Sequence, residues 1–173
     1  MKKVVLTMVL ALASLGATYG QDFYSGMTLW KARTTGMDLS LITGEKGSNA
    51  LEFNLDGEGV FFLSRWFAFT GLAGIDAYKY GDADGVLGVK LGFGTRFYAA
   101  PTGFYVGLGI DGYKKGDADI YSNLKLEAGY TIFVLEHVFL EPALHASKAY
   151  YFDEGKFGKS LRLGASFGIG VEF

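Results

Sequence analysis

Over most of the chain, apolar residues recur at every second position. The last stretch, residues 160–173 (SLRLGASFGIGVEF), shows this most fully. Leu161, Leu163, Ala165, Phe167, Ile169, Val171 and Phe173 alternate with Arg162, Gly164, Ser166, Gly168, Gly170 and Glu172. A period of two places the first set on one face of a β-strand and the second on the other. The apolar face runs for about ten residues, the length a tilted strand needs to cross a bilayer. Segments 34–43, 49–61, 66–78, 86–98, 104–113, 120–133 and 138–150 are predicted strands of the same kind. In 86–98, Leu87, Val89, Leu91, Phe93 and Phe97 oppose Lys90 and Arg96. Turns at 63–65, 99–103 and 134–137 alternate with polar loops at 44–48, 79–85, 114–119 and 151–159. Pro142 lies inside the seventh segment and cannot donate a ladder hydrogen bond, which predicts a local bulge.

These segments make eight strands, an even number that brings both ends of the barrel to one side, as single-chain membrane barrels require. A soluble sandwich or barrel of similar strand count would be polar outside and apolar inside. Regular apolar faces opposed by charged and small faces fit the inverted arrangement better. The fold class read from the pattern is therefore all-β: an eight-stranded antiparallel up-and-down transmembrane β-barrel.

The amino end follows a different pattern. Lys2 and Lys3 precede an apolar run over 4–15, then small and polar residues to Gly20. That order predicts a secretory signal over 1–20, cleaved near Gly20–Gln21. Residues 21–33 are expected to form a periplasmic lead-in. A strand through them would give Lys31 and Arg33 the outward parity of Met37 and Leu39. A Lys or Arg on the lipid face costs about 2–4 kcal/mol at mid-membrane. The barrel domain is thus assigned to 34–173.

Composition agrees with all-β closure: 26 Gly, 15 Phe and 11 Tyr against 2 Pro. No later stretch reaches the roughly eighteen apolar residues of a spanning helix. A net charge of −2 offers no basic footprint for nucleic acid. The chain has no cysteine, which excludes disulfides and thiolate metal sites. One internal repeat supports the strand layout. IDAYKYGDAD at 75–84 returns as IDGYKKGDAD at 110–119, and VKLGFG at 89–94 is echoed by LKLEAG at 124–129. The unit is a hairpin with a long loop, duplicated. A loop tip centred on Ala83 would set Asp76 opposite Lys90, and the repeat would set Asp111 opposite Lys125.

The stretches GVFFLSRWFAFTG, GYTIFVLEHVFLEPAL and LGASFGIGVEF resemble the small bacterial outer-membrane proteins grouped as the outer-membrane protein β-barrel domain family. The resemblance covers nearly all of the mature chain and implies an outer-membrane location. It also implies that Phe167, Ile169, Val171 and Phe173 form the ending that the outer-membrane assembly machinery recognises. Expected partners are that machinery and outer-membrane lipid with lipopolysaccharide, around a monomer, with no nucleic acid.

Strand parity directs one set of ionisable side chains inward: Asp38, Glu52, Asp56, Asp76, Asp111, Glu127, Glu141 and Glu172, with Lys90, Arg96, Lys125, Arg162 and His145. An eight-stranded barrel is just wide enough for side chains to fill. These charges are expected to form a plug of ion pairs; a narrow small-solute channel is the alternative. His145 and Ser147 share a face, with Glu154 in the following loop. This resembles the His-x-Ser and following Glu of outer-membrane lipid A deacylases, which implies a hydrolase as a further alternative. That family places Asn after the Ser, where this chain has Lys148. The GDADG and GDAD loops at 81–85 and 116–119 offer carboxylates but lack the closing Glu of a calcium loop. No metal and no cofactor are expected.

Overall fold

The computed structural model describes residues 23–39, 50–80, 86–115, 121–151 and 155–173. Nine strands are assigned: β1 (Thr28–Leu39), β2 (Ala50–Ser64), β3 (Phe67–Tyr80), β4 (Val86–Ala99), β5 (Phe104–Lys115), β6 (Tyr121–Tyr130), β7 (Ile132–Leu135), β8 (Val138–Tyr151) and β9 (Lys156–Glu172). Each pairs antiparallel with its neighbours. β9 returns to β1, and β6 and β7 both pair with β8, so the sheet closes. β6 and β7 are two parts of one stave. Gly129 pairs with Ala143 and Ile132 with Leu140, in one unbroken register. The barrel therefore has eight staves.

Pro142 explains the interruption. The expected bulge is not at Pro142, which keeps its place between Glu141↔Gly168 and Ala143↔Ser166 on the β9 side. The neighbouring stave breaks instead, at Thr131, opposite Glu141–Pro142. There the Thr131 amide turns to the Gly103 carbonyl, 2.9 Å away. A missing donor removes a rung, and the partner strand accommodates the gap.

The start of the wall also differs from expectation. β1 begins at Thr28, so residues 28–33 are wall and the lead-in assigned to 21–33 is corrected. The cause is a bulge against β9 between Thr34 and Met37. One extra residue exchanges the two faces of a strand. Parity read back from Met37 and Leu39 therefore gives the wrong face for Lys31 and Arg33. Both are buried in the lumen, 4% and 3% exposed. The stretch assigned to the signal peptide lies outside the described residues.

The surface is inverted, as the alternation predicts. Outward positions are apolar and exposed: Leu91, Phe93, Leu108, Leu144 and Ile169 among many, with Phe93 at 72%. Charged side chains occupy the interior. Such a belt is unfavourable in water and favourable in hydrocarbon. The fold is a transmembrane β-barrel.

Candidate functional site

The lumen is filled in two layers. At the short-turn end lies an apolar cork of Phe23, Met27, Leu29, Val60, Phe62, Ala68, Tyr98, Phe139 and Ala143, with Phe133 packed against it. Phe23, just ahead of β1, stacks on Phe62 at 5.0 Å and lies 4.8 Å from Tyr98. Its segment is pinned by the Gly26 amide donating to Phe62 O (2.8 Å). Gly26 has φ +92°, a turn conformation that glycine adopts without strain.

Above the cork, a lattice of ion pairs joins staves across the barrel. Glu141 of β8 accepts from Lys31 of β1, from Arg96 of β4 at 3.1 Å, from the Tyr105 hydroxyl of β5 at 2.9 Å and from Thr131 at 3.1 Å. Glu127 of β6 accepts from Arg33 and from Arg96, each at 2.6 Å, and pairs with Lys125 at 3.2 Å. Glu58 of β2 meets Arg96 at 2.5 Å, Arg33 at 3.2 Å and Lys31 at 3.4 Å. Arg96 lies 4.2 Å over the Tyr105 ring, a further cation–π contact. A planar guanidinium with five donors suits this position, since one Arg96 serves three carboxylates. Next along the axis, Lys90 bonds Asp56 at 2.6 Å and stands 3.9 Å from Asp76. Buried ions are tolerable only when paired, and each of these carboxylates faces at least one cation.

Inward glycines make room for the lattice. A Cβ on Gly74 would sit 2.1 Å from Asp56 Oδ1, and one on Gly92 would sit 2.2 Å from Asp111 Oδ1. A Cβ on Gly170 would meet the Trp30 carbonyl oxygen at 2.3 Å. A cavity left beside Glu58, Arg96 and Glu127 measures about 20 Å³, room for roughly one water.

Of the residues singled out from sequence, Asp56, Asp76, Lys90, Arg96, Lys125, Glu127 and Glu141 stand in this lattice. Two expected pairings are corrected. Lys90 lies opposite Gly74, with Asp76 opposite Gly88; Lys125 lies opposite Gly109, with Asp111 opposite Asn123. Both hairpins pivot one residue earlier than the assumed tip, which moves each cross-strand partner by two positions. Lys90 takes Asp56 of β2 instead. Glu172 is also corrected. It lies at the short-turn rim, where it accepts from Tyr24 at 3.1 Å and stands 3.8 Å from His137. That hydrogen bond, with the Glu172 charge, holds the Tyr24 phenol above its ordinary range. Arg162 is half-buried on β9, opposite Ser147. The side chains of Asp38 and Glu52, and the whole of Glu154, lie outside what is described.

His145 and Ser147 face the lumen, half-buried. Their register partners on β6 are Glu127 and Lys125. The carboxylate opposite His145 is thus one already engaged by Arg33, Arg96 and Lys125. A triad needs a carboxylate given over to orienting the His; Glu127 is held by three cations, and Glu154, the carboxylate expected for that role, lies outside the described residues.

Sequence reasoning missed Lys31, Arg33, Glu58, Tyr105 and Thr131 as members of the lattice. Glu58 carried a readable signal, the parity of Asp56. Tyr105 shares the parity of Asp111. The bulge hid Lys31 and Arg33, and the β6–β7 break hid Thr131.

On the outer face of β9, Phe167, Ile169, Val171 and Phe173 are all exposed to the membrane side. The strand closes on β1, with the Phe173 amide donating to Thr28 O at 2.9 Å.

The chain is thus defined as a closed, eight-stave transmembrane β-barrel with an apolar belt and a charged, filled lumen. No protein-family model matches its sequence, and neither does any curated protein. Solved structures match it over most of its length. Neisserial surface protein A aligns at a TM-score of 0.62 and 11% identity, over 86% of this chain and 98% of that one. OprG of Pseudomonas aeruginosa aligns at 0.52 and 12%, over 90% and 99%. Ail, the attachment invasion locus protein of Yersinia pestis, aligns at 0.53 and 11%, over 86% and 99%. The shared feature is the fold.

Proposed function

We propose that this protein is an integral barrel of a bacterial outer membrane, serving envelope structure and presenting its long-loop end to the surface. The observation that carries the reading is the lumen. Side chains from β1, β2, β4, β6 and β8 are tied across it by ion pairs, and Tyr105 of β5 by hydrogen bonds, over an apolar cork. Such a barrel spends its interior on cohesion and leaves no solute path. The outer-membrane setting is supported by the inverted surface and by likeness of fold to an outer-membrane protein and a surface protein of bacteria. The β9 ending is read as the assembly signal, the partners as outer-membrane lipid and lipopolysaccharide, and the working state as a monomer.

The hydrolase alternative rests on His145 and Ser147 with Glu154, which lies outside the described residues. Complementation separates the two. In cells lacking the protein, envelope resistance to detergent should be restored equally by wild type and by His145→Gln with Ser147→Ala. Purified wild type should leave the mass of lipid A unchanged. Loss of rescue by a variant that still folds, or acyl release by wild type alone, would overturn the structural reading.

A further inference from the structure

At the short-turn rim, the β2–β3 turn lies beside the β4–β5 turn, and a cavity of about 530 Å³ separates them. Phe23, Arg65, Trp66, Tyr98, Ala99, Ala100 and Pro101 line it. That volume falls within the roughly 300–1,000 Å³ of ligand pockets. Neither turn is loose. The Tyr98 amide donates to Trp66 O at 2.9 Å, tying one to the other. The Thr102 amide donates to Ala99 O at 2.9 Å, and the Thr102 hydroxyl makes a second bond to the same carbonyl.

Arg65 is the unusual member. It is exposed, and among the described residues it has no carboxylate partner, whereas the lumen cations Lys31, Arg33, Lys90 and Arg96 are all paired. Beside it Trp66 is 55% exposed, an amphipathic ring at the height where membrane proteins place Trp. Membrane-ward of the turn, the outer wall is aromatic: Phe67 lies 5.0 Å from Phe97 and 5.4 Å from Phe69. A cation at the rim, a preformed cavity and an apolar wall running into the bilayer match the three parts of one molecule. They suit an anionic headgroup, its glycerol and its acyl chains.

We propose that this rim cavity binds an anionic phospholipid of the leaflet on the short-turn side, with Arg65 holding its phosphate and the Phe67–Phe97 wall taking its chains. The site rests on the membrane setting and is independent of any role for the long-loop surface. It would give the barrel a fixed depth and a lipid partner on that side.

The chain has two tryptophans, so Trp30→Phe leaves Trp66 as the one reporter. The full barrel carrying that change is placed in phosphatidylcholine vesicles. Equal fractions of brominated phosphatidylglycerol or brominated phosphatidylcholine are then added, and quenching is read. One basic side chain at a membrane surface enriches anionic lipid roughly fivefold, so the anionic quencher should act at about one-fifth the concentration. Arg65→Gln should erase that preference, while Lys148→Gln at the opposite end keeps it. Inorganic phosphate, matched in ionic strength by chloride, should not compete. Equal quenching by both lipids, a preference that survives Arg65→Gln in a normally folded barrel, or displacement by inorganic phosphate alone would overturn the proposal.

Discussion

Arg96 shows most plainly how single residues hold this molecule. It meets Glu58, Glu127 and Glu141 on three staves, with its side chain 3% exposed. Arg96→Met fits the space but takes one cation from each of three carboxylates, leaving Lys31, Arg33 and Lys125 to hold them. Breaking a buried pair typically costs about 3–5 kcal/mol, and denaturant unfolding in micelles should show a loss of at least that size. Lys90 and Asp56 provide a second test, made in a site that also holds Asp76 near Lys90 and Arg33 near Asp56. Lys90→Met alone should destabilise more than Lys90→Met with Asp56→Leu, because the double change leaves no unpaired charge of that pair. A double variant at least as destabilised as Lys90→Met alone would contradict this, and one that costs as much as the sum of the two singles would show that the two charges do not stabilise each other. Glycines divide in the same physical way. Gly74→Ala forces a methyl against the Asp56 carboxylate, and overpacking of this sort costs about 1–3 kcal/mol. Gly71→Ala, with nothing within 4 Å of its Cβ, should change stability little. Equal effects in a melting series would contradict the account.

Among the elements, strands and their facing were legible because a membrane barrel writes one face in apolar residues and the other in small and charged ones. Leu87 to Phe97 on β4 could be read without error. What the sequence did not show were events that change parity or pairing without changing composition. The Thr34–Met37 bulge is one, and it concealed two cations of the lattice. The pivot of a hairpin is another. Asp76 and Lys90 were correctly sent inward but set opposite each other, because Asp, Ala and Gly at a loop tip do not fix its centre. The repeat does hold in the structure. Gly74↔Lys90 on β3–β4 and Gly109↔Lys125 on β5–β6 are the same register one repeat apart. β9 is the element whose role extends past stability. Burial of a Phe contributes about 1.5–3 kcal/mol, and Phe173 is 76% exposed on the protein, so its deletion should barely change the melting of barrel refolded in detergent. In cells the same deletion should sharply lower the heat-modifiable, folded fraction. Unchanged yield in cells would show that the ending is incidental to assembly.

For the whole molecule, the account depends on whether the lumen is shut. Eight staves leave a bore that side chains can fill, and here they fill it twice, with Phe23, Phe62 and Tyr98 at the short-turn end and the Arg96 lattice above. The two layers close the bore by different means. One is apolar packing, insensitive to salt. The other is electrostatic but dry, and so is weakly screened. Conductance across a planar bilayer measures the consequence directly. Reconstituted wild-type barrel should show no discrete current steps above the lipid baseline, at low salt and at high salt alike. Reproducible unitary steps from the folded, heat-modifiable protein would mean an open path through the lattice and would contradict the plugged barrel.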